Sequence, residues 1–374
     1  MTKSLGLYVH IPFCAKKCAY CDFPSFEGSM GLREPYIKAL KNEIIQSAQE
    51  LRHPQVDTLY IGGGTPSLLQ SEQMAELLTA IKESFPFAPG YEFSCEANPG
   101  MLTPHFLDIL SAGGVNRLSL GAQSADPQLL KLLGRQHNWQ QVEHAVSMAR
   151  MAGFDNINID LMLGIPKQDK STYASTLQSA LDLSPRHLSC YGLIVEEGTP
   201  LSSDIQSGRL SLPDEEEERA MYEYTQDSLE LAGLHQYEIS NFAMIGYECR
   251  HNLNCWKRAD YLGFGSAAHS LVGGDTRKSN PADIKDYLAG EAPEIQRLTL
   301  KEQMFESLML GLRMQKGLKL DDFLQMHGEN FDQVFGAAAK NSVNQGLAEY
   351  TQDGYFRLTR QGMDVMNSVL IEFM

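Results

Sequence analysis

Three cysteines, Cys14, Cys18 and Cys21, fall within eight residues in the spacing C-x3-C-x2-C. Thiols this close on one short stretch read as metal-binding or redox-active. A structural zinc site normally takes four protein ligands in paired C-x2-C units, and no fourth Cys or His follows at that spacing. Three thiolates can instead ligate three irons of a 4Fe–4S cubane and leave the fourth open. Such an iron could chelate the amino and carboxylate groups of S-adenosylmethionine (SAM). Reductive cleavage of the sulfonium would then yield a 5′-deoxyadenosyl radical, chemistry that belongs to the cofactor. A zinc site or three unrelated buried thiols is the alternative.

Further polar groups lie near the ends of strand-like runs. Ile61-Gly62-Gly63-Gly64-Thr65-Pro66 ends the second run, and glycines there let a ligand approach the backbone. Glu96 ends the third run, as a ligand contact or as a rim acid facing solvent. Gln123 ends the fourth, and Arg135 follows, with a planar fork suited to a carboxylate. Asp160 lies in an apolar run and needs a partner if buried.

The elements that carry these residues alternate. Strand candidates are Leu5–Phe13, Val56–Gly63, Tyr91–Asn98, Arg117–Ser124, Asn156–Gly164 and His187–Val195, with Gln236–Ala243 as a further one. Their near-continuous apolar character suits parallel strands buried on both faces. Amphipathic stretches between them include Tyr36–Leu51, Glu72–Phe85 and Pro104–Ala112. Asp214–Leu231 opens on an acidic run and reads as a solvated helix start. The pattern is that of an α/β fold, a partial (β/α)6 barrel over residues 1–235, with a connecting segment over 236–297. Residues 298–374 read as a small C-terminal helical, winged-helix-like domain, with helices over Thr299–Met314, Leu320–Met326 and Phe331–Gln345, a hairpin at Leu347–Thr359 and a last helix.

Formal net charge is −16, and residues 300–374 carry seven Lys/Arg against ten Asp/Glu. Nucleic acid, which needs phosphate neutralisation, is therefore a disfavoured partner. No apolar run reaches the roughly 18 residues of a membrane span, and MTKSLGLYVHIPF lacks the marks of a signal peptide. A cytoplasmic address is expected.

With its C-x3-C-x2-C loop and GGGTP segment, the chain resembles the radical SAM superfamily. It resembles more closely the branch containing the oxygen-independent coproporphyrinogen dehydrogenases (HemN) and the HemW heme chaperones, from Leu7 to nearly the C-terminus. The resemblance implies a 4Fe–4S cluster on Cys14, Cys18 and Cys21, and SAM held by Tyr8, Gly64, Thr65, Glu96, Gln123, Arg135 and Asp160, with Ile194 against the adenine.

Two departures separate the chain from the dehydrogenases. Those carry another cysteine two residues after the third, where this chain has Phe23, and an extended N-terminal region that is missing before Leu5. Arg250-His251-Asn252-Leu253-Asn254-Cys255-Trp256 is similar to the HNxxYW motif of the chaperones, with Cys255 in place of the tyrosine. There the motif is associated with heme, which implies His251 and Trp256 as heme contacts. A structural turn, or a C-x-H-x3-C metal site with Cys249 and Cys255, is the reading from the residues alone. The resemblance implies a chaperone that delivers heme to client hemoproteins, such as membrane-associated respiratory enzymes. It implies no coproporphyrinogen dehydrogenase activity, a partner that donates electrons, and a monomer or homodimer. Radical oxidation of a porphyrinogen, or of another substrate, is the alternative.

Overall fold

A computed structural model of the chain describes residues 5–28 and 30–374. The first four residues of the segment read against a signal peptide lie outside them. Six strands, β1 (Gly6–Ile11), β2 (Val56–Gly63), β3 (Phe87–Ala97), β4 (Arg117–Gln123), β5 (Asn156–Leu163) and β6 (His187–Gly192), are neighbours in that order and run parallel. The crossovers carry α1 (Arg33–Glu50), α2 (Ser71–Ser84), α3 (Pro104–Ala112), α4 (Pro127–Leu132), α5 (Trp139–Met151) and α6 (Lys170–Asp182). In α1, Tyr36, Ile37, Leu40, Ile44 and Ala48 make one buried stripe at helical spacing. After β6 come α7 (Pro200–Gln206) and α8 (Glu215–Leu231). Asp214 caps α8 by accepting from the Glu217 amide, and four glutamates in the first turn face the positive end of the helix dipole.

Side chains along a strand alternate between the two faces. One face is apolar. Leu7, Val9, Leu59, Ile61, Phe93, Leu118, Leu120, Ile157, Ile159 and Leu188 are buried and share one core with the helices. The other face is also largely buried but polar. It carries Tyr8, Thr58, Tyr60, Glu92, Glu96, Arg117, Ser119, Asn158, Asp160 and His187, many of them joined by hydrogen bonds. The fold is thus α/β with parallel strands alternating with helices, and its concave side is wired rather than greasy.

The segment after α8 differs in detail from expectation. The single strand expected at Gln236–Ala243 is two, β7 (His235–Gln236) and β8 (Asn241–Ala243), because the Glu238 carboxylate takes the Ser240 amide (3.0 Å) and turns the chain between them. β8 pairs antiparallel with β6. Then α9 (Arg250–Trp256) crosses the barrel at the end where β2 and β3 begin. A seventh parallel strand, β9 (Tyr261–Phe264), joins the free side of β1. β10 (His269–Val272), β11 (Thr276–Ser279) and β12 (Glu294–Arg297), with α10 (Ile284–Ala289) before the last, extend that edge antiparallel. These strands are short, and runs such as Thr276–Ser279 have no apolar alternation to announce them.

The C-terminal unit has a core of its own, built on Leu308, Phe323, Phe331, Phe335 and Phe356. It holds α11 (Leu300–Gly311), β13 (Leu318–Lys319), α12 (Leu320–His327), α13 (Phe331–Asn344), and the hairpin of β14 (Ala348–Tyr350) and β15 (Tyr355–Leu358). The last helix is broken at Val365 into α14 (Arg360–Asp364) and α15 (Met366–Ile371).

Candidate functional site

Parallel strands gather their C-terminal tips at one end of an α/β sheet. There the cysteine loop leaves β1 and covers a cavity of about 630 Å³ lined by Cys14, Cys18 and Cys21 together with Gly64, Thr65, Glu96, Gln123, Arg135, Asp160 and Ile194. The loop is held from both sides. The Ala19 amide donates to Leu133 O (3.0 Å), and Ala19 O accepts from the Leu201 amide (2.9 Å). The three thiols are free and half-buried. Thr65 Oγ1 donates to Cys14 Sγ at 3.8 Å, and Arg135 Nη1 to Cys18 Sγ at 3.6 Å. Burial pushes the Cys21 thiol up.

Does this loop fit a cubane? Among the described residues no three Cys, His, Asp or Glu side chains converge on one point, as a single ion requires. A cubane instead takes one thiolate at each of three corners. Donors from Arg135 and Thr65 onto two of the sulfurs suit thiolates, whose charge a guanidinium compensates. The donor set fits the cluster.

Two glycines have specific reasons. A Cβ on Gly64 would lie 2.7 Å from Phe13 O and 3.0 Å from Ile11 O, so only glycine lets this strand end press against the root of the cysteine loop. Gly63 has φ +110° and would drive a Cβ to 2.5 Å from the His10 ring. His10 fills that space for a purpose. Its Nε2 faces Pro24 O at 2.9 Å, and a carbonyl only accepts, so Nε2 carries the proton. Nδ1 therefore accepts from the Tyr8 hydroxyl, also at 2.9 Å. Tyr8, expected to contact SAM, is not among the residues that line this cavity, and its hydroxyl donates to the histidine that braces the cysteine loop.

The carboxylates meet at the cavity wall. Glu96 accepts from Tyr60 Oη (2.9 Å) and from the Gly63 amide (3.1 Å). Burial, then Asp160, push its pKa up to about 7. Asp160 has the partners a buried acid needs: Asn158 Nδ2 at 2.7 Å and Ser119 Oγ at 3.2 Å. Burial raises it as well. Two carboxylates in a cleft, braced by neutral donors, suit a cationic ligand. Arg135 Nη2 donates to Gly121 O at 2.5 Å. Gln123, at φ +65°, accepts from Tyr191 Oη at 2.7 Å, a strained backbone held by the strand irregularity at Gly121. Ile194 sits past the end of β6, on a loop rather than on the strand expected there, and lines the cavity while 70% exposed; Phe23, 66% exposed, lines it too.

His251 and Trp256 are elsewhere. His251 is 5% exposed, at the end of the barrel opposite the cysteine loop. Its ring stacks on Tyr60 (5.4 Å), and burial, then Arg117, lower its pKa to about 4. The Glu92 carboxylate receives the Arg250 amide (2.9 Å), the His251 amide (3.0 Å) and the Cys249 thiol (3.5 Å). This uses Cys249 structurally. Trp256, at the other end of α9, lies under the Arg313 guanidinium, 4.6 Å from its ring centre. The sequence did not single out Tyr60, Glu92, Ser119, Asn158 or His10. Their signal was polar residues at every second position of otherwise apolar runs.

A radical SAM superfamily model matches residues 8–180, and a HemN C-terminal domain model matches residues 298–365. The chain is 38% identical to a protein of Bacillus subtilis named heme chaperone HemW, over 98% of both chains. It is 35% identical to the Escherichia coli protein of that name, over 99% of this chain and 98% of the other. The solved structure of coproporphyrinogen III oxidase (HemN) from Escherichia coli, described as a radical SAM enzyme, superposes with a TM-score of 0.85 at 26% identity, over 99% of this chain and 90% of that one. The chain belongs to the radical SAM superfamily and, within it, to the family of the HemW heme chaperones.

Proposed function

We propose that this protein binds heme and passes it to client hemoproteins, with a 4Fe–4S cluster on Cys14, Cys18 and Cys21 and with SAM beside it in an auxiliary or regulatory part. The observation that carries the reading is near full-length similarity to relatives named heme chaperones. Phe23 adds to it: an exposed apolar side chain stands on the rim where the dehydrogenases carry a further cysteine.

A bound cluster supplies an iron without a protein ligand, able to hold the amine and carboxylate of SAM, and an electron. The residues around it have distinct tasks. Arg135 and Thr65 brace the thiols and face the space above them. Gly64 keeps the backbone close. Glu96 and Asp160 offer negative charge to the cationic parts of SAM, Gln123 orients a wall residue, and Ile194 gives the adenine an apolar face. Tyr8 acts through His10. No described helix is long and apolar enough to cross a membrane, and a cytoplasmic site of action with a reducing partner suits the exposed thiol loop.

Anaerobic heme titration followed by transfer to an apo-hemoprotein tests the reading. A Soret shift and reconstitution of the acceptor are expected; no shift rejects it. The second reading, radical oxidation of a porphyrinogen, draws on the likeness to HemN. Conversion of coproporphyrinogen with SAM and a reductant would make that reading prevail.

A further inference from the structure

Beneath Asp160 the barrel holds a run of hydrogen bonds with one direction. The Cys249 amide, just before α9, donates to Tyr237 Oη at 3.2 Å. Tyr237 Oη lies 2.8 Å from His187 Nε2, and His187 Nδ1 lies 2.7 Å from Asn158 Oδ1. Asn158 Nδ2 donates to Asp160 Oδ1, also at 2.7 Å. His187 and Asn158 are fully buried, whereas Asp160 lines the cavity with the three cysteines.

Both ends of this run are chemically fixed. A backbone amide can only donate, so the Tyr237 hydroxyl accepts there and has its proton free for His187 Nε2. Burial, then the Arg117 guanidinium, hold the His187 imidazole well below its ordinary range, so the ring is neutral and carries one N–H. With Nε2 accepting, that N–H is on Nδ1 and points at Asn158 Oδ1. From the other end, an ionised carboxylate can only accept, so the Asn158 amide must turn its NH2 to Asp160. The two ends demand the same orientation. Asn158 is saturated in it: Nδ2 also donates to Ser119 Oγ (2.7 Å), and Oδ1 also accepts from Ser189 Oγ (3.2 Å). Ser119 Oγ donates in turn to Asp160 Oδ2 at 3.2 Å. Burial works against the Asp160 anion, and these side-chain donors work for it. A reversed Asn158 amide would set its oxygen against the carboxylate, acceptor facing acceptor in a buried place.

We propose that His187, through its Nδ1–H, is a positioning residue for SAM binding. It fixes the orientation of the Asn158 amide, which holds Asp160 as an ionised acceptor in the cavity wall, and Tyr237 selects the tautomer. None of His187, Asn158 and Tyr237 lines the cavity. The inference rests on the reading above that Asp160 meets a cationic part of SAM.

The test compares H187N and H187Q in the full, cluster-loaded chain, by anaerobic calorimetric titration with SAM and by thermal unfolding. The amide nitrogen of asparagine reaches about as far from the backbone as Nδ1 of histidine, and that of glutamine about as far as Nε2. H187N therefore keeps a donor for Asn158, and H187Q does not. H187N should bind SAM within about twofold of wild type and H187Q about fivefold more weakly, the scale of one net hydrogen bond. Both should melt below wild type, because both lose the ring. A role in packing alone lowers the two melting temperatures without separating the two affinities. Equal affinities for H187N and H187Q, or the reverse order, overturn the inference. Wild type supplies a readout that needs no variant. Nitrogen NMR of histidine-labelled, cluster-loaded protein, with the ring assigned through its backbone, should show His187 protonated at Nδ1 alone. A proton on Nε2 overturns the inference even where neither variant folds. All of these outcomes leave the SAM reading standing. D160N tests that reading: wild-type SAM affinity in D160N removes Asp160 from SAM binding, and the inference falls with it.

Discussion

Thr58 on β2 and His251 on α9 are 193 residues apart and share a 3.1 Å hydrogen bond between Oγ1 and Nδ1. That bond sits inside a chain of polar contacts along the barrel. His251 stacks on Tyr60, Tyr60 donates to Glu96, and Glu96 lines the cavity with the cysteines. The motif at one end and the cavity at the other are therefore parts of one packed column.

Glu92 is the point where α9 attaches. It receives two backbone amides and a thiol, and its charge faces Arg117, which is 2% exposed. Glu92→Gln keeps the shape but removes the charge that the buried guanidinium needs. Unfolding free energy should fall by about 2–4 kcal/mol, read as a lower urea midpoint at unchanged slope. A change under about 0.5 kcal/mol would mean that Arg117 is neutralised by other groups.

How much of this was legible beforehand depends on distance along the chain. Cys14, Cys18 and Cys21 are local, and so are the glycines beside β2. Their spacing carries the expectation of a cluster, and the strand end and turn beside it are read from the sequence directly. Val56–Gly63 and Pro104–Ala112 were readable to the residue from apolar periodicity and proline position. The polar column was not, because Glu92, Asn158 and His187 meet only after the strands align, and a single polar residue in an apolar run says nothing of its partner. Tyr8 illustrates the difference. Its position relative to the loop was visible, but not that His10 would take its hydroxyl.

Gly64→Ala tests the close approach behind the cysteine loop. The obstructing atoms, Phe13 O, Ile11 O and Phe13 N, are backbone and cannot swing aside. Overpacking of this kind costs about 1–3 kcal/mol, and the displacement falls on the residue before Cys14. The variant should purify anaerobically with a smaller iron content and a weaker brown absorption than wild type. Full iron loading with an unchanged melting temperature would show that the strand end gives way.

Ile194→Ala separates binding from folding. The side chain is 70% exposed, so its removal should leave stability within about 0.5 kcal/mol of wild type. If it covers the adenine, loss of that contact should weaken SAM binding by about tenfold, as truncating an aliphatic side chain against a ligand does. Calorimetric titration of SAM into cluster-loaded protein measures this. Unaltered affinity would remove Ile194 from the pocket.

Glu96 should write itself into the pH dependence of stability. Its folded pKa is about 7 against an ordinary value of 4.5, because burial and Asp160 disfavour the anion. Between those two values the unfolded chain ionises while the folded chain keeps its proton, so this group costs stability as pH rises. Below pH 4.5 it costs nothing. In Glu96→Gln the amide oxygen can still accept from the Gly63 amide, and its NH2 can turn to the Tyr60 oxygen. The ionisation term is then gone. The variant should gain about 1–3 kcal/mol relative to wild type at pH 8, and the gain should shrink to nothing as pH falls through the window toward 4.5. His251, His187 and His137 have the opposite sign. Burial lowers each of them below 6.5, so they destabilise both proteins alike as acid is added. Their contribution cancels in the difference between wild type and Glu96→Gln, which isolates the carboxylate. A pH-independent difference between the two unfolding curves would show that Glu96 is ionised in the folded protein throughout, paired with a cation from the cavity rather than held neutral by its wall.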